Sequence, residues 1–136
     1  MACWDTTVLL DLLGRGGRRR QAAAEAKLRQ LEHNRPHHVS RFTITEVLIG
    51  LENSRDPFQE REQLDRVLDQ LQILEFDSRA MRLYASIFAR LARLGMIGGI
   101  MDMLIASVAV ANGQRLVTRN PAHFVNVPGL RVEAYS

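Results

Sequence analysis

Cysteine, lysine and long apolar runs are all scarce in this chain, and each scarcity excludes something. The single cysteine, Cys3, cannot form an intramolecular disulfide, so no framework of bridges holds the fold. It sits in the apolar run Ala2-Cys3-Trp4 and reads as a buried, inert thiol, which fits a reducing cytoplasm. No apolar stretch approaches the roughly 20 residues that span a bilayer, and Met1 to Asp5 lacks a basic leader followed by an apolar core. The expectation is a soluble, cytoplasmic protein with no membrane association. Lys27 is the only lysine, the other 17 basic residues being arginine. An arginine-biased genome accounts for this as well as phosphate recognition does, although the guanidinium fork suits phosphate. The net charge of +3 permits nucleic-acid binding without requiring it.

Familiar catalytic layouts are missing too. His33, His37 and His38 lie near a turn without the spacing of a zinc-binding helix, and His123 reads as packing beside Phe124. There is no glycine-rich loop of the P-loop type, and no motif marks Ser40 or Ser107 as a nucleophile.

What is present is enough apolar residue, 46% of 136 positions, for one core and one domain spanning residues 1–136. Ala2-Cys3-Trp4, His38-Val39-Ser40, Ile73-Leu74 and Leu116-Val117-Thr118 read as short buried strands, with Leu130-Arg131-Val132 a fifth after the Pro128-Gly129 turn. Helices are expected between them: Val8 to Leu13, stopped by Gly14, Gly16 and Gly17; Gln21 to Glu32; a helix with Ile44, Val47, Leu48 and Leu51 inward; one opened by Pro57 with Leu64, Val67, Leu68 and Leu71 inward; one capped by Asp77 with Met81, Tyr84, Ala85, Phe88, Leu91 and Ala92 buried; and Asp102 to Asn112. Alternating strands and helices predict an α/β domain with a twisted, mainly parallel sheet of four to five strands flanked by helices.

In such a sheet, strand ends and helix starts gather along one edge, where ligands bind. Asp5 ends the first strand, Glu46 lies just after the second, Asp102 opens the last helix and Asn120 follows the fourth strand. Three carboxylates and an amide thus fall on one edge. Each acid also has a simpler role open to it. Asp5 can cap the first helix, Thr43-Ile44-Thr45-Glu46 matches a capping box, and Asp102 suits a helix N-terminus. Against those roles, Glu46 points about 160° away from the Ile44/Leu48 row, at ~100° per residue. Asp102 interrupts the apolar run Ile100 to Ile105, where an unpaired charge is costly to desolvate. A hard divalent cation with oxygen ligands would meet both needs.

At these residues the sequence resembles the PIN-domain family, specifically the VapC-like toxin ribonucleases of bacteria. Asp5-Thr6-Thr7-Val8-Leu9 is similar to the family's opening, and Ser40, Thr43, Glu46, Gly50 and Ser54 to its second motif. Ile97-Gly98, Asp102 to Ala106, Gly113, Leu116 to Asn120, His123-Phe124 and Val127 to Leu130 follow in register, so the likeness runs the length of the chain. The resemblance implies a PIN fold and an endoribonuclease using Mg²⁺ or Mn²⁺, with Asp5, Glu46 and Asp102 as catalytic and metal-site acids. Thr6, Thr118 and Asn120 would support the shell, Asn120 standing where many relatives have a fourth acid, and Arg119 would meet a substrate phosphate. It also implies an RNA substrate, a small VapB-like antitoxin occluding the acidic pocket, and a homodimer. Met81, Tyr84 and Phe88 are candidates for such a contact, with core packing the default for that row. Two other readings stay open: a non-catalytic PIN-like module binding RNA or protein through a weakened metal site, and a metal-dependent phosphatase beginning at Asp5. The latter lacks a second aspartate two residues on.

Overall fold

Three consecutive buried residues, Ala2–Trp4, form the first strand (β1), and it becomes the centre of the sheet. The computed structural model describes residues 1–136 apart from the side chain of Asn34. At Asp5 the backbone is still extended, and helix α1 (Thr6–Leu12) starts directly after it. Gly14 and Gly17, with φ of 79° and 92°, take the left-handed turns that lead into α2 (Arg18–Gln30). Then come β2 (His37–Ser40), α3 (Arg41–Leu51), α4 (Pro57–Leu68), β3 (Leu71–Leu74), α5 (Ser78–Arg93), α6 (Ile100–Ala111), β4 (Arg115–Thr118), a 3₁₀ turn (Pro121–Phe124) and β5 (Val132–Ala134). The Ser40, Asp56 and Asp77 side chains accept from Thr43 N, Gln59 N and Ala80 N, which fixes where α3, α4 and α5 begin.

The strands pair in the order β3-β2-β1-β4-β5, every pair parallel, with Trp4 opposite both Val39 and Val117. A parallel sheet has to be covered on both faces. Ala2, Trp4, Val39 and Val117 pack under α1–α4 with Leu9, Val47, Leu51 and Leu64, while Cys3 and Leu116 pack under α5 and α6 with Ile87, Leu91, Met103 and Ala106. Burial, reinforced by the Asp5 charge, pushes the Cys3 thiol up to about 12, which leaves it without a reactive thiolate. Strand order reverses at β1, whose neighbours run out to β3 on one side and to β5 on the other. The crevice beyond the C-terminal ends of β1 and β4 is therefore the expected ligand site of this topology.

Several elements differ from their sequence-based bounds. The fifth strand is Val132–Ala134 rather than Leu130 to Val132, because Val132 is the residue in register with Leu116 and Leu130 packs below the turn. Leu71 does not extend the α4 row: the helix stops at Leu68, and Leu71 opens β3 opposite His37. Both α1 and α2 begin earlier than expected, at Thr6 and Arg18. On α3 the inward row is Thr43, Ile44, Val47 and Leu51, leaving Leu48 exposed. On α5 it is Ala80, Ile87 and Leu91, with Tyr84 and Phe88 partly covered, so Met81, Ala85 and Ala92 face out. The α5 sequence is apolar over a wide arc, and α6 covers only part of it.

Candidate active site

Asp5 stands where β1 becomes α1, 3% exposed, its N–H donating to Val117 O at 2.9 Å. It occupies the N-cap position, yet its carboxylate makes no cap hydrogen bond. Instead Oδ2 accepts from the Thr118 hydroxyl at 2.7 Å and the Thr7 hydroxyl at 3.2 Å. Thr118 Oγ1 in turn accepts from the Asn120 N–H at 3.0 Å, and Thr7 Oγ1 from the Arg119 N–H at 3.0 Å. The ends of β1 and β4 are thus stitched together around one carboxylate.

The capping-box reading of Glu46 is overturned by the same kind of observation. Ser40, not Thr43, caps α3, its Oγ accepting from Thr43 N at 3.1 Å. The Glu46 carboxylate, half-buried, accepts a short hydrogen bond from the Thr6 hydroxyl. Asp102, in the first turn of α6, pairs through Oδ2 with His123 Nδ1 at 3.2 Å. His123 also lies tilted against Phe124 at 6.4 Å, so the packing expected from sequence is present beside a contact that was not foreseen. Only the fold supplies that contact, since the 3₁₀ turn carries His123 back over α6.

Electrostatics tie the acids together. Glu46 is raised above the usual carboxylate range by burial and by the charges of Asp102 and Asp5, the Thr6 hydrogen bond opposing this. Asp102 is raised by burial and then by Asp5, with His123 opposing. Among the described residues no three His, Cys, Asp or Glu side chains converge closely enough to grip a bare ion directly. The neighbouring acids add to the raising of Glu46 and Asp102, and none of the three has an arginine or lysine partner among the described residues. Such a donor set, hard oxygens in mutual repulsion, fits a hydrated Mg²⁺ or Mn²⁺ held partly through water. An open cavity of ≈ 620 Å³ begins at Asp102 and His123 and continues past Gly99, Met96 and Leu91, with Val127 on its far wall.

Arg119, the arginine expected to meet a substrate phosphate, is held by a buried acid. Its Nε donates to Asp11 Oδ2 at 2.8 Å, in a pair where Asp11 is 1% exposed. The Tyr135 hydroxyl donates to the same oxygen at 2.7 Å. Burial and then Asp11 keep the Tyr135 phenol far above its ordinary value, so it stays a donor. Neither Asp11 nor Tyr135 carried a sequence signal, since Asp11 sits within an unremarkable helical run and Tyr135 beyond the last apolar motif. Of the arginines that follow α1, Arg15 is engaged by Glu60 at 3.1 Å and by Gly50 O at 2.9 Å, while Arg18, Arg19 and Arg20 form the exposed first turn of α2.

A family model described as the PIN domain matches residues 2–130. The chain belongs to the PIN domain family. Within it this PIN domain is VapC-like. The ribonuclease VapC2 of Rickettsia felis is 32% identical over 106 residues, 78% of this chain and 79% of that protein. The tRNA(fMet)-specific endonuclease VapC of Salmonella typhimurium is 33% identical over 95 residues, 70% of this chain and 72% of that protein. In the crystal structure of VapBC2 from Rickettsia felis bound to a DNA fragment from its promoter, a chain of 26% identity superposes with a TM-score of 0.88, covering 99% of this PIN domain and 98% of that chain. The fold class expected from the alternation of strands and helices is the one observed. No helix of the described residues is long and apolar enough to cross a membrane.

Proposed function

We propose that this PIN domain is a Mg²⁺- or Mn²⁺-dependent endoribonuclease, the toxin of a toxin–antitoxin pair. The observation that carries the reading is the gathering of Asp5, Glu46 and Asp102 at the sheet's switch point without an arginine or lysine to neutralise them. Asp5, Asp102 and Glu46 would hold the ion, directly or through water, and Thr6, Thr118 and Asn120 would orient the acids and their water. Such an ion lowers the pKa of water in its shell and offsets charge gathering on the scissile phosphate.

The chain's own residues have separable tasks. Thr118 and Thr7 fix the Asp5 carboxylate through Oδ2. Glu46, held by the Thr6 hydroxyl and set above the usual carboxylate range chiefly by burial, would take a proton from an attacking water. His123 holds Asp102 at the mouth of the cavity. Arg119 is assigned to a substrate phosphate. Relatives named ribonuclease or endonuclease, and solved VapBC complexes, support the nuclease reading and a small VapB-like antitoxin as partner. A homodimer is part of the same proposal, as is a cytoplasmic location.

The test is cleavage of total cellular RNA by the purified protein with Mn²⁺, with EDTA and as Asp5→Asn. Cleavage with Mn²⁺ that EDTA and the substitution both abolish is the expected outcome. Absent cleavage would leave the alternative, a non-catalytic binding module, in possession, and cleavage that persists in EDTA would overturn the metal dependence.

A further inference from the structure

Arg119 is held in an unusual way for an arginine beside an acidic site. Its Nε points inward to a fully buried carboxylate, and neither Nη forms a hydrogen bond among the described residues. Asp11 has this one guanidinium bond and the Tyr135 hydroxyl on Oδ2, and no partner on Oδ1. Gly16 is what lets the turn close over that carboxylate. A Cβ at Gly16 would lie 3.1 Å from Asp11 Oδ1 and 2.7 Å from Arg20 Cδ. An arginine pinned by Nε presents its two Nη groups as a fixed fork, the geometry that meets a phosphate with two hydrogen bonds.

Arg119 lines a cleft of ≈ 320 Å³ together with Arg19, Arg20, Ala23, Tyr135 and Ser136. Arg19 and Arg20 are exposed and form no ion pair among the described residues. This cleft is two hydrogen bonds from the acid site, since the Arg119 N–H donates to Thr7 Oγ1 and Thr7 to Asp5 Oδ2.

We propose that Arg19, Arg20 and Arg119 form a phosphate clamp for the RNA strand flanking the acid site, and that Asp11 and Tyr135 are positioning residues that aim Arg119 at it. The proposal rests on the nuclease reading for the identity of its ligand. It explains why a protein binding a polyanion keeps a buried aspartate next to its phosphate-facing arginine: the negative charge acts as a mount, not as part of the surface.

Charge alone and positioning predict opposite signs for Asp11→Asn. Removing a negative charge makes the protein more basic, so simple electrostatics expects tighter RNA binding. Loss of the mount releases the Arg119 fork, so binding weakens. The measurement is the affinity for a fluorescein-labelled single-stranded RNA in EDTA, where cleavage is absent, across a salt series. Arg119→Gln should weaken binding about 10-fold and reduce the slope of log K against log[salt] by about 0.7, the contribution of one phosphate contact on a single strand. Arg119→Lys should recover the slope but not the affinity, and Arg19→Gln with Arg20→Gln should lower both. Asp11→Asn should weaken binding by several-fold, and Tyr135→Phe, which keeps the ion pair, by about 2-fold. Folded Asp11→Asn protein that binds as tightly as the native chain, or more tightly, overturns the positioning role. If Asp11→Asn does not fold, Tyr135→Phe and Arg119→Lys decide, and native-like affinity for both overturns it equally. RNA affinity and slope unchanged in Arg119→Gln would mean the cleft serves something else, such as an acidic segment of a protein partner, and overturns the clamp. Cleavage by the native protein is scored separately. Retained cleavage with Arg119-independent binding sinks the clamp alone, whereas Arg119-dependent binding without cleavage sinks the nuclease reading alone.

Discussion

Two aspartates six residues apart, Asp5 and Asp11, meet opposite fates. Asp5 is gathered with Glu46 and Asp102, and among the described residues the only groups that bond to its carboxylate are threonine hydroxyls. Asp11, on the next turn of chain, is fully buried against a guanidinium and a phenol. A buried carboxylate matched to an arginine is already neutralised, so it holds structure in place. Glu46 and Asp102 have no such match and are raised by burial and by the acids beside them, a cost that a cation from outside would relieve. The contrast separates a mount from a binding site without reference to any relative.

Substitutions can break that contrast. The largest effect is expected from Asp5→Asn, which keeps shape and removes charge: cleavage should fall by more than about 100-fold, beyond the range typical of groups that merely support a metal ligand. In EDTA its folding stability should stay level or rise, as should be seen in urea unfolding. Asp11→Ala should do the reverse to stability, lowering it by about 2–4 kcal/mol. That is at the lower end of breaking a buried ion pair, because Arg119 reaches water. Similar stability losses for Asp5→Ala and Asp11→Ala would erase the distinction. Thr118→Val removes the 2.7 Å hydrogen bond to Asp5 while keeping volume, and should weaken Mn²⁺ binding by calorimetry about 10-fold.

The smallest effect sharpens the electrostatic side. Folding raises Glu46 and Asp102 above their ordinary values of 4.5 and 3.8, in each case chiefly through burial. Between the ordinary and raised values the folded state binds more protons than the unfolded one, so stability falls as pH climbs through that window and stays lower above it. Thermal midpoints in EDTA should show this decline, and Glu46→Gln should flatten it, by no more than about 1 kcal/mol at neutral pH. Saturating Mn²⁺ should reverse the trend, because the ion binds the ionised acids. A decline equally steep in Glu46→Gln would show that Glu46 takes no part in it.

Much of this was legible in the residues. The alternation of short apolar runs with helical rows gave the sheet and its flanking helices, and the strand-end positions of Asp5, Glu46 and Asp102 put the acids on one edge. Helix capping was an equal competitor for Asp5 and Glu46 until side-chain partners were visible. Thr118 and Thr6, from distant parts of the chain, are what remove it. The Asp102–His123 contact and the Asp11–Arg119–Tyr135 network were not legible, because they join residues 21, 108 and 124 positions apart through folding alone. The α5 row was misjudged for a related reason. A helix apolar around a wide arc does not say which part its neighbour will cover, and Met81 ended outside.

The stitch between Asp5 and Thr118 spans 113 positions of sequence, and β1 has no partner on that side until β4 arrives. A ribosome therefore releases most of this chain before the carboxylate meets the hydroxyl that orients it. The carboxylate at the end of the first strand gains the hydroxyl that orients it only when the fourth strand lies beside the first.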